Sequence, residues 1–401
     1  MDIPATRQRP NRKHLEYKAR ADRVRAEMRG HGLDAMFLMQ PMNVWYLSGF
    51  WEYVPIRIQA VLIPQEGECV FIVSKNEYEY AVKTSWIGDI RYYTEFPEEG
   101  RHQNPYDLIL DAVKDRGLER SVIGFEEDFM PVSEHIRLKS LLPNAKLEAA
   151  SAVLKSCRMI KSAYEVDMLK KAGAVACSAW HASLSVARAG MHEFEIGEAA
   201  REAATRTAAS FMSEEEDKHH SPLTDGVQLI QSGERSSISH GRGSTNRLKH
   251  GDMVAMCFCL TNQFKGYKVG FARNFAVGEA TKEMKDVYKL LHSAQQEAFD
   301  ELRPGVKGSH LDRLVRHRIS EAGYGQFIEH RLGRGVGVLY AEAPDLKEGD
   351  DTIIEAGFCL SIEPAVYMSG KWGIEIEDSV HVTSKGWEYL TEPAPPELPI
   401  V

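Results

Sequence analysis

The sequence predicts two domains of different construction: an α/β domain over residues 1–155, then a second domain over 156–401 built around a β-hairpin. Three observations predict this. Short apolar runs alternate with helical periodicities through the first 150 residues or so, which is the pattern of an α/β layer structure. Gly251–Gly278 reads as two apolar strands joined by a turn at Lys265-Gly266. Between them, near Leu154–Ser162, a new helix begins with its own start signal.

The elements follow in order. Residues 1–13 are polar and read as loose. Tyr17, Ala21, Val24 and Met28 recur at spacings of three and four, predicting a helix over Leu15–Arg29 that Gly30 and Gly32 end. Leu33–Met39 reads as a strand, with Val44–Leu47 as its continuation, and Ile56–Ile63 and Cys69–Val73 as two more around the turn Pro64–Gly67. Helix Glu77–Thr84, strand Ile90–Tyr93, helix Tyr106–Arg116, strand Val122–Phe125 and helix Val132–Leu141 complete the alternation. Arg57 stands inside the apolar run IRIQAVLI; a guanidinium there needs a carboxylate partner or a surface position.

In the second domain Ser162 is the expected N-cap, with Glu165 three residues on completing a capping box. A helix follows over Glu193–Thr207, and Ser213–His220 (SEEEDKHH) reads as a solvated loop. A strand leads through Ser232-Gly233 to His240. In the hairpin, Met253–Leu260 and Tyr267–Val277 are the strands, and alternation puts Cys257 and Cys259 on one face. Helices are expected over Glu279–Arg303, closed by Pro304-Gly305, and over Leu311–Ala322.

Composition narrows the function. Apolar residues make up 43% and charged residues 27%, as in an ordinary globular protein. A net charge of −9 without a long basic run argues against nucleic-acid binding and against attraction to anionic membranes. No apolar run reaches the length of a membrane span, and the N-terminus lacks the apolar core of a signal peptide. Six cysteines in 401 residues make no disulfide framework, so a cytoplasmic location is expected.

Several motifs carry a resemblance. GD-x-V, GY and R-x-F-x-V-G along Gly251–Gly278 resemble the central hairpin of the pita-bread hydrolases: methionine aminopeptidase, prolidase, aminopeptidase P and their metal-free relative creatinase. YLSGF over 46–50 and R-x-I-K-S-x-x-E over Arg158–Glu165 are similar to other family segments. So are His330–Gly337, Glu355 to Glu363-Pro364, and Gly373 to Glu377-Asp378. The resemblance implies a creatinase/prolidase-type α/β domain, then a pita-bread α+β domain with a curved antiparallel sheet. It also implies a homodimer acting on a small-molecule substrate.

The peptidases of this family hold two metal ions on two Asp, one His and two Glu. The matching positions here are Cys257, Gly270, Arg334, Glu363 and Glu377. Glycine offers no donor, and the fixed positive charge of an arginine repels a cation. No metal ligand and no cofactor are therefore expected, with Arg334 standing in for the metal charge beside Glu363 and Glu377. The resemblance further implies His240 as the proton carrier and His330, Arg334 and Tyr267 as substrate-binding residues. Arg57 matches a creatinase arginine that reaches a neighbouring subunit's substrate, with an internal salt bridge as the plainer reading. Cys257 is open between a thiolate nucleophile, a space-filling thiol and a soft metal site with Cys259, His240 and Glu363.

These readings lead to the expectation of a metal-independent, creatinase-like hydrolase that cleaves a C–N bond in a small guanidino, amidine or amide acid, with His240, Cys257, Glu363 and Glu377 catalytic. Three alternatives stand beside it: a metal-dependent Xaa-Pro peptidase, an inactive ligand-binding homologue, and a lyase on the same scaffold.

Overall fold

The computed structural model describes residues 12–51, 56–224, 229–258 and 263–401. The chain divides into two compact units, Met1–Cys157 and Arg158–Val401.

The first unit is a six-stranded mixed sheet with helices. Its elements are α1 (Arg12–Gly30), β1 (Ala35–Leu38), α2 (Pro41–Ser48), β2 (Ala60–Pro64), β3 (Val70–Ser74) and α3 (Lys75–Thr84). Then come β4 (Asp89–Tyr93), α4 (Pro105–Asp115), β5 (Val122–Phe125), α5 (Val132–Leu141), β6 (Lys146–Ala149) and α6 (Ser151–Met159). The strand order is β4-β3-β2-β1-β5-β6. The pairs β1–β2 and β2–β3 are antiparallel, while β1–β5, β3–β4 and β5–β6 are parallel. Tyr17, Ala21, Val24 and Met28 are buried, as the three-and-four spacing of α1 requires.

Two expectations are corrected here. Val44–Leu47 lies in helix α2, not in a strand. Gln40 caps that helix by accepting from the Asn43 N–H, and Pro41 opens it, so start signals outweigh the local β preference. Arg57 precedes β2, which begins at Ala60, and so does not stand inside a strand.

The second unit contains α7 (Ala163–Val186), α8 (Glu193–Ser210), β7 (Leu229–Ser232), β8 (Met253–Cys257), β9 (Ala272–Ala276), α9 (Lys282–Glu301) and α10 (Gly308–Glu321). After these come β10 (Gly333–Gly335), β11 (Glu342–Leu346), β12 (Cys359–Ile362), β13 (Ala365–Met368), β14 (Trp372–Glu375), β15 (Asp378–Thr383) and β16 (Gly386–Tyr389). Ser162 and Glu165 form the capping box of α7. The strands make antiparallel sheets in the orders β7-β8-β9, β13-β14 and β11-β10-β12-β15-β16. A bridge between Ala272 and Glu377 joins the hairpin to the segment leading into β15. The inner faces of α9 and α10 pack Met284, Val287, Leu291, Leu311 and Val315 against Leu360, Ile362 and Ile374. In the loop 213–220, Asp217 departs from the solvated reading: it is buried and paired with Lys265 at 2.7 Å. Cys259 lies outside the described residues.

No helix among the described residues is long and apolar enough to cross a membrane.

Candidate active site

Strand register builds the site. Arg334 of β10 lies opposite Ser361 of β12, and Ser361 lies opposite Ser379 of β15. Alternation then brings Glu363, two residues past Ser361, and Glu377, two before Ser379, to that same face. Glycines flank Arg334 because the strands run close: a Cβ at Gly333 would meet the Ser361 carbonyl, and one at Gly335 the Ala343 carbonyl.

Arg334 is buried and clamps two buried carboxylates. Its Nη1 donates to Glu363 Oε2 at 2.7 Å and to Glu377 Oε1 at 2.9 Å, while Nε donates to the Tyr340 carbonyl at 3.1 Å. The Ser361 hydroxyl donates to the same Glu377 Oε1 at 2.5 Å. The other oxygen of Glu377 faces the Cys257 thiol, 3.9 Å away. Burial works against ionising Glu377, but the Arg334 guanidinium and the hydrogen bonds it receives outweigh this and hold it below the ordinary value. Burial pushes Glu363 well above that value against the pull of Arg334, with the charge of Glu377 adding to the rise. The two carboxyls are thus pushed apart, Glu377 toward the charged form and Glu363 toward the protonated one.

A second chain of contacts meets the first. His330 Nε2 lies 3.2 Å from the Tyr367 hydroxyl, which donates to Glu375 Oε2 at 3.1 Å. Burial lowers the His330 pKa, so its imidazole is the neutral form at pH 7. Burial, and then the neighbouring charge of Glu377, push Glu375 up to about 8. Cys257, Glu375 and Tyr367 line a small cavity of about 10 Å³ with Gln231, Ser236 and Asn274.

Of the residues singled out in the sequence, the fold brings Cys257, Arg334, Glu363 and Glu377 together and links His330 to them through Tyr367 and Glu375. His240 is exposed, on a turn near enough for its charge to act on His330. The carboxylate of Glu193 ties down both ends of the segment carrying His240. It accepts from the N–H and hydroxyl of Ser232 and of Ser244, and from Arg235 Nε, at 2.7–3.3 Å. Tyr267 is buried in the hairpin turn, where its backbone pairs with Phe264. Arg57 makes an ion pair at 2.6 Å with Glu95 within the first unit. Tyr367, Ser361 and Glu375 were not among the site residues read from the sequence. Glu375 carried a signal, since it stands two residues before Glu377 and alternation turns both to one face.

The five-donor dinuclear set does not fit these residues. The place of the second aspartate is filled: a Cβ on Gly270 would overlap the Glu377 carboxylate and the Ser361 hydroxyl. Arg334 occupies the position of the metal histidine and is bound to both remaining glutamates. Among the described residues, one set of three side chains could hold an ion: the donor atoms of Cys257, Glu375 and Glu377 lie within 4.8 Å of one another.

Comparison with known proteins adds the following. Residues 20–160 match the creatinase/prolidase N-terminal domain, and residues 167–384, more than half of the chain, match metallopeptidase family M24. The chain is 28% identical to the Xaa-Pro dipeptidase of Lactobacillus delbrueckii subsp. lactis, covering 92% of this chain and 96% of that one. It is similar in structure to the Xaa-Pro dipeptidase from Bacillus anthracis, with a TM-score of 0.81 at 28% identity over 96% of this chain and all of that one. A recombinant prolidase from Thermococcus sibiricus gives 0.83 at 25% identity, covering 96% and 99%. These relatives correct the expected function. They are Xaa-Pro dipeptidases and prolidases in a family of metallopeptidases, and they overturn the reading of a metal-independent, creatinase-like hydrolase of guanidino, amidine or amide acids. That reading took the exchanges at 257, 270 and 334 as loss of the metal centre and so of the peptidase activity, whereas likeness along nearly the whole chain points to the dipeptidases.

Proposed function

We propose, for a chain that belongs to metallopeptidase family M24, that it hydrolyses the amide C–N bond of a small dipeptide with proline in second place. One observation carries the reading: Glu363 and Glu377, at the positions of the family's ligand glutamates, are both buried and held by Arg334 beside a cavity, on a chain similar to Xaa-Pro dipeptidases end to end. Hydrolysis adds water across the C–N bond, with hydroxyl going to the carbonyl carbon and a proton to the departing nitrogen. In this reading Glu363 and His240 move that proton. Arg334 keeps the two glutamates in position. His330 and Tyr367 face the substrate, and Tyr267 supports the hairpin turn. Arg57 keeps its ion pair with Glu95, and the enzyme works as a homodimer in the cytoplasm.

The test is a panel of Xaa-Pro dipeptides incubated with the enzyme, with and without added zinc, cobalt or manganese, and free proline measured by mass spectrometry. Proline release that Glu363→Gln reduces at least a hundredfold is expected. Failure to release proline from every member of the panel under every metal condition would falsify the reading. The homodimer is tested by light scattering, with twice the 45.1 kDa chain mass expected.

A further inference from the structure

We propose that Cys257, Glu375 and Glu377 form a binding site for one thiophilic divalent cation, zinc or cobalt in class, displaced from the five-donor centre of the relatives. The proposal deepens the dipeptidase reading and rests on it for the use of the ion, though not for its binding.

The first support is convergence. Cys257 at the end of β8 lies opposite Ala272 of β9, and Ala272 bridges to Glu377. Partners in antiparallel register point their side chains to one side, so the thiol and the carboxylate face each other across the small methyl of Ala272. Glu375 closes the third side, held by its backbone N–H on Asn274 Oδ1 and its carboxylate on Tyr367. The three donor atoms lie within 4.8 Å of one another, and Cys257 and Glu375 open on a cavity of about 10 Å³, room for about one water.

The second support is charge. Two buried carboxylates, Glu363 and Glu377, and the half-buried Glu375 stand around one guanidinium. Ionising Glu375 as well as Glu377 leaves one carboxylate more than the guanidinium balances, and such a charge needs a counter-charge close by. Arg334 serves Glu363 and Glu377, whereas the Glu375 carboxylate accepts from the Tyr367 hydroxyl, a neutral donor. The chain has also moved its positive charge: the G-x-R-x-E-D motif that Gly373–Asp378 resembles has arginine where Glu375 stands, while Arg334 replaces a histidine. The exchange removes a cation from the Cys257 side and puts one on the Glu363 side. Repulsion by Arg334 does not bar the ion. The carboxylate of Glu377 lies between them, with Oε1 toward Arg334 and Oε2 toward Cys257.

Donor chemistry sets the class of ion. A thiolate with two carboxylates suits zinc or cobalt and not magnesium or calcium. Three protein ligands leave a fourth position for water from the cavity, the pattern of catalytic zinc sites. Binding displaces the thiol proton and the proton of Glu375 to solvent, so uptake of the ion weakens as pH falls.

The experiment titrates metal-free, full-length protein with cobalt(II) chloride, following bound cobalt by equilibrium dialysis and the near-ultraviolet thiolate-to-cobalt charge-transfer band. One cobalt per chain with the band is expected. Cys257→Ser loses the band, Cys177→Ser keeps it, and Glu375→Gln raises Kd at least tenfold, with the circular dichroism of each variant confirming its fold. Cobalt bound without the band, a band that survives Cys257→Ser, or no binding at millimolar cobalt each overturns the site. Proline release is read separately. The band without cleavage of any Xaa-Pro dipeptide leaves the site standing and removes the dipeptidase reading. Cleavage without the band does the reverse.

Discussion

At the scale of single residues, the centre of the site depends on how Arg334 divides its charge. Its guanidinium is buried and holds two buried carboxylates, so removing it leaves both without their cation. Breaking such a pair from one side costs about 3–5 kcal/mol. Arg334→Met is expected to destabilise the protein by that amount in urea denaturation, and additional loss of Glu363 and Glu377 as Gln should restore part of it. A cost near zero would show the ion triad to be solvated. Gly270 makes the complementary point. Because its missing Cβ would fall on Glu377 and Ser361, Gly270→Ala is expected to cost about 1–3 kcal/mol through overpacking, although alanine is ordinarily a mild replacement for glycine. The same overlap means that an aspartate restored at this position will not rebuild the relatives' ligand. Gly270→Asp should show weakened folding and no gain in bound metal.

At the scale of elements, short strands position the chemistry and one helix start holds the loop. Glu193, the first residue of α8, gathers five donors from Ser232, Ser244 and Arg235 while fully buried. Hydrogen bonds keep its carboxyl below the ordinary value despite burial. Glu193→Gln retains the shape and removes the charge. A loss of about 1–3 kcal/mol is expected. Hydrogen exchange should speed up over residues 232–246 and stay unchanged in β8; uniform exchange across both would refute a local role. The elements also show how sequence signals compete. Val44–Leu47 has an apolar run fit for a strand, yet Gln40 and Pro41 start a helix there. The period-two pattern of Tyr267–Val277 exceeds the strand itself, which begins at Ala272, because the preceding residues pair with Gln263, Ser379 and Gly337.

At the scale of the whole molecule, buried carboxyls make stability depend on pH. Glu375 titrates near 8 in the fold against an ordinary 4.5, so between these values the folded state holds a proton that the unfolded state has lost. Stability must then fall as pH rises through that window, by up to a few kcal/mol at about 1.4 kcal/mol per unit. Glu363, also raised, adds a fall of the same sign. Glu377 acts oppositely: its carboxyl is lowered, so its contribution is present above the ordinary value and lost as pH falls below it. The melting temperature is expected to drop from about pH 5 to pH 8, and to drop less in Glu375→Gln. Equal slopes in the two proteins would show that Glu375 is ionised in the fold.

Much of this protein was legible along the chain because local rules are written locally. Apolar spacing determined the buried face of α1, Ser162 and Glu165 the start of α7, and the ordered motifs from the hairpin to Glu377-Asp378 the scaffold. The same motifs marked Cys257, Arg334, Glu363 and Glu377 as one group, and the structure brings them together. Only tertiary structure decided what that group is. Register across four strands placed Ser361 against Glu377 and filled the space beside Gly270, which no reading of a glycine could show. Packing, not spacing, put Tyr367 between His330 and Glu375, and turned the two oxygens of Glu377 toward different neighbours. Function was least legible at the altered ligand positions, because a lost donor is visible in one residue while the donor set that replaces it comes from strands far apart in the chain.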